Sequence, residues 1–231
     1  MIPKKIHYVW VGNKEKPKEV QRCIKTWKEK FKDFEFIEWN EENFDINSNA
    51  YTKRAYELKK WAFVSDYIRL YALYTVGGIY LDTDVIAVDS IEQILDNNVF
   101  MGFENEKNIS AAIMGAEKGH SFIKKLMNFY EKIESKESFD FNDNNSLLVT
   151  DILVNDYNLI LNNEEQMLSG GIKIYKDNIL SNPSKYSKTI HIFTGTWLEE
   201  KKSIKKIICQ FLKYRLTTNK RAELYSKVFG K

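Results

Sequence analysis

Cysteine, proline and glycine are all scarce in this chain of 231 residues. The two cysteines, Cys23 and Cys209, lie far apart. They form neither a CxxC pair nor a disulfide framework, and so favour a reducing compartment. Three prolines and ten glycines exclude collagen-like and low-complexity chains. No apolar run approaches the roughly 20 residues of a membrane span. The apolar stretch behind the charged start, Ile6 to Val11, contains His7 and is shorter than the ~7–15 residues of a signal-peptide core. The sequence therefore reads as that of a soluble, cytoplasmic protein. A dominant charge is missing as well: 35 Lys and Arg against 32 Asp and Glu leave +3. A general nucleic-acid binder is more basic, so no nucleic-acid partner is expected. The chain has no GxxxxGK[ST], GxGxxG or GxSxG, and only three histidines. A phosphate loop and a serine triad are thus unsupported.

Aromatics are plentiful, with 14 Phe, 13 Tyr and 5 Trp, and hydrophobic residues make up 43% of the chain. That composition excludes general disorder and suits one core of catalytic-domain size. Ile6 to Val11 reads as a strand ending at Gly12-Asn13. Pro17 opens a helical pattern through Val20, Cys23, Ile24, Trp27 and Phe31, and Phe34 to Trp39 reads as a second strand. This βαβ opening favours an α/β sheet. Asn40 to Asn49 reads as a loop. Lys59 to Val76 is apolar nearly all round and predicts a buried helix stopped by Gly77-Gly78. Strands are expected at Ile79–Leu81, Val99–Phe103, Ala111–Ala116, Ile172–Tyr175 and Thr189–Phe193. Helices are expected over His120–Ile133 and Leu147–Tyr157, with a polar loop over Phe139–Asn145. No repeat or linker divides residues 1–200.

The C-terminal segment 201–231 differs. It holds ten Lys and Arg and one acid, Glu223, which leaves a negative balance for residues 1–200. Ile204, Ile207, Ile208, Phe211 and Leu212 recur at helical spacing among those bases. Such a helix either lies on an anionic membrane surface or packs on the body by its apolar stripe.

The most informative feature is Asp82-Thr83-Asp84 directly after the apolar strand Ile79-Tyr80-Leu81. Two carboxylates two positions apart at a strand end suit a hard divalent cation, Mn²⁺ or Mg²⁺, which bridges the protein to substrate phosphates. Alone, a DxD triplet in a chain with 32 acids is more often a pair of exposed turn acids. The stretch from Trp61 to Val85 reverses that balance, because it closely resembles the sugar-binding DxD region of glycosyltransferase family 32. Ile2 to Gly12 is similar to that family's first strand, and Thr189 to Trp197 to its closing His-x-x-x-x-x-Trp segment. The resemblance covers residues 1–200.

The resemblance implies a GT-A fold: an α/β architecture with a mostly parallel nucleotide-binding sheet flanked by helices. It also implies a retaining, metal-dependent transfer of a sugar from a nucleotide-diphospho-sugar, a UDP-sugar by bacterial analogy. The acceptor is a saccharide or lipid-linked glycan of capsular or cell-surface polysaccharide synthesis. Residues 201–231 would then hold the enzyme peripherally on the inner face of the plasma membrane. Asp82 and Asp84 are the expected metal ligands, and Asp82 also serves the donor. Asp66 and Arg69, three apart on one helix face, contact donor sugar or phosphate; otherwise they form a buried ion pair. His191 is a third metal ligand, a pyrophosphate contact or a structural histidine. Val9 and Trp10 line the donor site, where Trp10 either stacks on the base or fills the core. Gly195 allows close backbone approach to the phosphates. Trp197 covers the pyrophosphate or sugar, or else is a core aromatic.

Two rival enzyme readings are weaker. A haloacid-dehalogenase-type phosphohydrolase needs Thr or Val at the fifth position of DxDx[TV], where this chain has Ile86, and it places the acids after the first strand. A glucosyltransferase effector acting on host proteins is expected to carry a translocation or secretion domain.

Overall fold

The computed structural model describes residues 1–133, 145–195 and 203–230. It opens on the expected βαβ unit: β1 (Lys5–Val9), α1 (Lys18–Lys30) and β2 (Glu35–Trp39). There follow α2 (Ala50–Glu57), α3 (Trp61–Thr75), β3 (Gly78–Leu81), β4 (Val85–Ala87), β5 (Val99–Phe103), β6 (Ile109–Ala116), α4 (Ser121–Ile133) and α5 (Asn145–Tyr157). The last elements are β7 (Gln166–Leu168), β8 (Ile172–Tyr175), α6 (Asp177–Leu180), β9 (Thr189–His191), α7 (Ile204–Lys213) and α8 (Asn219–Phe229).

Seven strands form one sheet in the order β2-β1-β3-β6-β5-β8-β7. β2, β1, β3, β5 and β8 run one way, while β6 and β7 run against them. Alternate residues of β3 face opposite sides, as the strand period requires. Tyr80 joins a core with residues of α3, α4 and α5. Ile79 and Leu81 join a second core with Cys23, Ile24 and Trp27 of α1. Helices therefore cover both faces. The C-terminal ends of β1, β3 and β5 fall on one edge, because these strands share a direction. That edge carries Trp10, Asp82 and Glu104, each directly behind its strand, and ligands of α/β sheets bind at such an edge.

Two glycines connect α3 to β3. Gly77 has φ +74° and Gly78 φ +123°. A Cβ on Gly78 would meet the Lys5 carbonyl at 2.6 Å, and one on Gly77 the Lys118 backbone nitrogen at 2.7 Å. The chain can turn this tightly only without side chains. His7 closes the turn from below: its Nε2 lies 2.8 Å from the Gly77 carbonyl, and its Nδ1 accepts from Trp39 Nε1 at 3.0 Å. It is a satisfied core histidine.

Several elements differ from expectation. The expected loop over residues 40–49 contains a helical turn at Ile46–Ser48, and α2 follows it. Asn49 caps α2, its side chain accepting from Thr52 N at 3.1 Å, so part of the Asn-rich run is a helix start. β4 and β7 have three residues each, too few for alternation to show. β9 stops at His191, short of the expected Phe193, which sits at φ +61° and leaves the extended region. The expected polar loop lies outside the described residues except for Asn145, which opens α5.

Residues 203–230 contain two helices, α7 and α8, and share the body's core. Tyr214, Leu216 and Ala222 are buried among the α1-side residues. Most of the apolar stripe faces outward: Ile204, Ile207, Ile208 and Phe211 are all at least half exposed, while Leu212 is half-buried. Cys23 and Cys209 are both free thiols.

Candidate active site

β4 begins one residue after the acidic triplet and pairs antiparallel with β9, setting Val85 opposite His191. Ile192 N donates to the Asp84 carbonyl at 3.0 Å and extends this ladder. The pairing brings His191 to Asp84 although they stand far apart in sequence. His191 Nε2 lies 3.2 Å from Asp84 Oδ1. The other oxygen, Asp84 Oδ2, accepts from Thr194 N at 2.9 Å and from Thr194 Oγ1 at 2.8 Å. Asp82 is fixed by its backbone N–H, which donates to the Ala112 carbonyl on β6 at 2.9 Å.

A second group reaches Asp82 from α3. Arg69 is 4% exposed. Its Nη2 lies 2.8 Å from Asp66 Oδ1 and 3.4 Å from Asp82 Oδ1, and it donates to Ser65 Oγ at 3.1 Å. Nη1 donates to the Ala111 carbonyl at 2.7 Å. The guanidinium also stands 4.6 Å from the centre of the Tyr80 ring, whose hydroxyl donates to Asp82 Oδ1 at 2.7 Å. Asn145, the first residue of α5, donates to Asp66 Oδ1 at 3.0 Å. Both bonds to Asp66 thus fall on one oxygen. Oδ2 has no hydrogen-bond partner among the described residues.

Burial and neighbouring charges set the protonation of these groups. Burial raises the Asp66 carboxyl to about 6, although Arg69 and Asn145 oppose it. Burial also raises Asp82; Arg69 opposes the shift and Asp84 adds to it. Asp84 goes the other way, because His191 and the Thr194 bonds outweigh its burial and hold it well below the usual carboxylate range. Burial alone would lower His191, yet the Asp84 carboxylate raises it. Glu104 is raised chiefly by burial. The ion pair and the nearby carboxylates keep Arg69 charged despite its burial.

One ligand atom each from Asp82, Asp84 and His191 lies within 4.8 Å of the others. A cation with bonds of about 2.1 Å to oxygen nearly spans such separations. His191 Nδ1 is buried with no hydrogen-bond partner among the described residues, which is costly for a polar atom. Two carboxylates suit Mg²⁺ or Mn²⁺, and an imidazole beside them is accepted more readily by Mn²⁺ than by the harder Mg²⁺. These residues fit the divalent metal expected from the sequence.

The expected site residues fall into three groups. Asp66, Arg69, Asp82, Asp84 and His191 converge. Gly195 follows the Thr194 contact to Asp84 and has φ +57°. Val9 is buried in the α3-side core at the end of β1. Trp10 is half-buried and belongs to neither core; its Nε1 donates to the Lys14 carbonyl at 2.7 Å. Trp197 lies outside the described residues. Tyr80, Glu104, Asn145 and Thr194 also stand at the site and were not expected from the sequence. Two of these had a signal. Glu104 follows β5 as Asp82 follows β3, and Tyr80 shares a strand face with Asp82 by the period of two.

Part of the chain is similar to known proteins. Residues 17–101 match the family described as the glycosyltransferase sugar-binding region containing the DXD motif. The match runs from α1 into β5 and takes in the acidic triplet, so this part of the chain is similar to the DXD region of those glycosyltransferases. It is 28% identical over 130 residues to inositol phosphoceramide mannosyltransferase 3 of Schizosaccharomyces pombe, covering 53% of this chain and 35% of that protein. It is 30% identical over 112 residues to the subversion of eukaryotic traffic protein A of Legionella pneumophila, covering 37% of this chain and 17% of that one. The aligned part is thus about a third or less of these curated relatives. Among solved structures, the PaToxG glycosyltransferase superposes with a TM-score of 0.52 at 18% identity, covering 66% of this chain and 69% of that one. The glycosyltransferase GlyE of Streptococcus pneumoniae TIGR4 superposes with a TM-score of 0.53 at 9% identity, covering 99% of this chain and 64% of that one. The fold is that of the GT-A glycosyltransferases.

Proposed function

We propose that this chain is a metal-dependent, retaining glycosyltransferase that moves a sugar from a nucleotide-diphospho-sugar, a UDP-sugar, to a saccharide or lipid-linked glycan. Capsular or cell-surface polysaccharide synthesis is the setting. The observation that carries the reading is the convergence of Asp82, Asp84 and His191 at ligand separations beside Arg69. The ion held there, Mn²⁺ or Mg²⁺, supplies Lewis-acid stabilisation of the leaving diphosphate. The protein's residues do the rest. Asp66, oriented by Arg69 and Asn145, offers Oδ2 to donor-sugar hydroxyls. Arg69 keeps Asp66 and Asp82 in place and adds positive charge where the diphosphate leaves. Thr194 and His191 hold Asp84 ionised. The acceptor oxygen bonds to the anomeric carbon on the face from which the bond to phosphate breaks, and the acceptor proton passes to the leaving phosphate oxygen.

The outer surface of α7 and α8 supports a membrane-bound acceptor. Ile204, Ile207, Ile208 and Phe211 of α7 and Leu224, Val228 and Phe229 of α8 are exposed. Lys205, Lys206, Arg215, Lys220, Arg221 and Lys227 accompany them. Apolar residues interleaved with bases match an anionic lipid surface, where each base contributes about 1 kcal/mol. The relative from Schizosaccharomyces pombe is named an inositol phosphoceramide mannosyltransferase. No helix among the described residues is long and apolar enough to cross a membrane.

A panel of nucleotide sugars, assayed for released nucleoside diphosphate with and without Mn²⁺, tests the chemistry. UDP-sugars should turn over only with metal; release from none of the donors would refute it. Sedimentation with anionic vesicles at low but not high salt is the expected result for the surface. Failure to sediment at low salt would remove the membrane contact and leave the chemistry standing.

A further inference from the structure

α7 has a second face, turned inward. Gln210 and Lys213 lie three residues apart, on one side of the helix. Gln210 Nε2 donates to the Phe193 carbonyl. Lys213 Nζ donates to the His191 carbonyl at 3.2 Å and stands 4.7 Å from the centre of the Phe193 ring. Both contacts are to the segment that carries His191. Ser203 caps the helix, its Oγ accepting from Lys206 N at 3.2 Å, and the far end is held to the body by Tyr214 and Leu216, buried in the core directly behind Lys213.

Lys213 is half-buried. No carboxylate lies within 4.0 Å of its ammonium among the described residues, and a backbone carbonyl takes one of its three N–H groups. A partly buried ammonium without a counter-anion is unfavourable unless a ligand brings the charge. Asp84 is the acid whose charge acts on it most strongly, and the expected metal would occupy that carboxylate. The anion that reaches this place in the proposed reaction is the donor's diphosphate, and lysine binds phosphate as a compact point charge.

We propose that Lys213 binds the diphosphate of the donor and holds it as it leaves, so that α7, well outside the matched residues 17–101, completes the site. This rests on the glycosyltransferase reading above. A helix that touches membrane on one face and the leaving group on the other would also join the two events.

Titration calorimetry of the full chain tests it, with inorganic pyrophosphate plus Mn²⁺ as one probe and UDP plus Mn²⁺ as the other. Lys213→Met should weaken both by ~tenfold or more, the loss of one charge-assisted bond. Its Tm should be unchanged or higher, since a partly buried charge with no carboxylate beside it is removed. Lys213→Arg should stay close to wild type. Lys213→Gln, which keeps a donor for the His191 carbonyl, should lose binding as Lys213→Met does. Unchanged affinity in Lys213→Met overturns the assignment while the glycosyltransferase reading survives. A loss of affinity matched by a fall in Tm in Lys213→Met and Lys213→Gln overturns it too, and makes Lys213 a staple between α7 and β9. If the wild type binds neither probe, both readings fall.

Discussion

Replacing Arg69 by Met keeps most of the side chain's volume and removes its charge. In the wild type that charge serves Asp66 at 2.8 Å and Asp82 at 3.4 Å, and its N–H groups also satisfy the Ala111 carbonyl at 2.7 Å. Arg69→Met strands two carboxylates, one 11% and one 28% exposed, beside a third at Asp84. Breaking a buried pair in this way costs roughly 3–5 kcal/mol. At ~2–4 °C per kcal/mol for a chain of this size, Tm should fall by about 6–20 °C. The same loss leaves the acidic cluster more negative, so Mn²⁺ should raise the Tm of the variant more than that of the wild type. A ligand at about 100 times its Kd contributes about 2.7 kcal/mol, enough to offset much of the deficit. Differential scanning fluorimetry with and without Mn²⁺ reads both effects. A Tm within about 2 °C of wild type in the absence of metal, less than 1 kcal/mol by the same scale, would refute the network. So would a Mn²⁺ response smaller than that of the wild type.

Gly78→Ala should destabilise the chain more than an ordinary surface change, by roughly 1–3 kcal/mol or above. It forces a left-handed backbone and a Cβ placed 2.6 Å from the Lys5 carbonyl; a denaturation midpoint equal to wild type would contradict this. Burial lowers the pKa of His7, with the Gly77 carbonyl opposing the shift, so the unfolded chain takes up this proton at higher pH than the folded one. The stability tied to His7 is therefore whole above its ordinary value of ~6.5 and declines as pH falls below it. Melting curves between pH 7.5 and 5.5 should show the wild type losing stability more steeply than His7→Gln, whereas parallel curves would exclude the linkage.

The βαβ opening, the buried helix α3 and the strand before the acidic triplet were legible in the sequence because each carries a strong local pattern. Pro17, the apolar run from Trp61 and Gly77-Gly78 mark their ends by backbone chemistry that does not depend on the rest of the fold. Asp66, Arg69, Asp82 and Asp84 were legible for a related reason: they lie within one continuous stretch of a known kind. His191 was legible only through the closing segment. The pairing that brings it to Asp84 uses two three-residue strands with no pattern of their own. Lys213 left no trace, since ten bases in its segment look alike until Tyr214 and Leu216 fix which side of α7 turns inward. The ion-pair and donor-contact readings of Asp66 and Arg69 are compatible in the folded chain, because the pair occupies Asp66 Oδ1 and leaves Oδ2 open.

The proposed chemistry centres on the cation site formed by Asp82, Asp84 and His191. Titrating Mn²⁺ into wild type and Asp84→Asn, with free Mn²⁺ followed by electron paramagnetic resonance in the presence of UDP, tests it directly. The wild type should bind one ion per chain. Asp84→Asn should bind at least ~tenfold more weakly, since a charged ligand has been made neutral, and should keep a circular dichroism spectrum like that of the wild type. Equal Mn²⁺ affinity in the two proteins would contradict the metal site and the mechanism built on it.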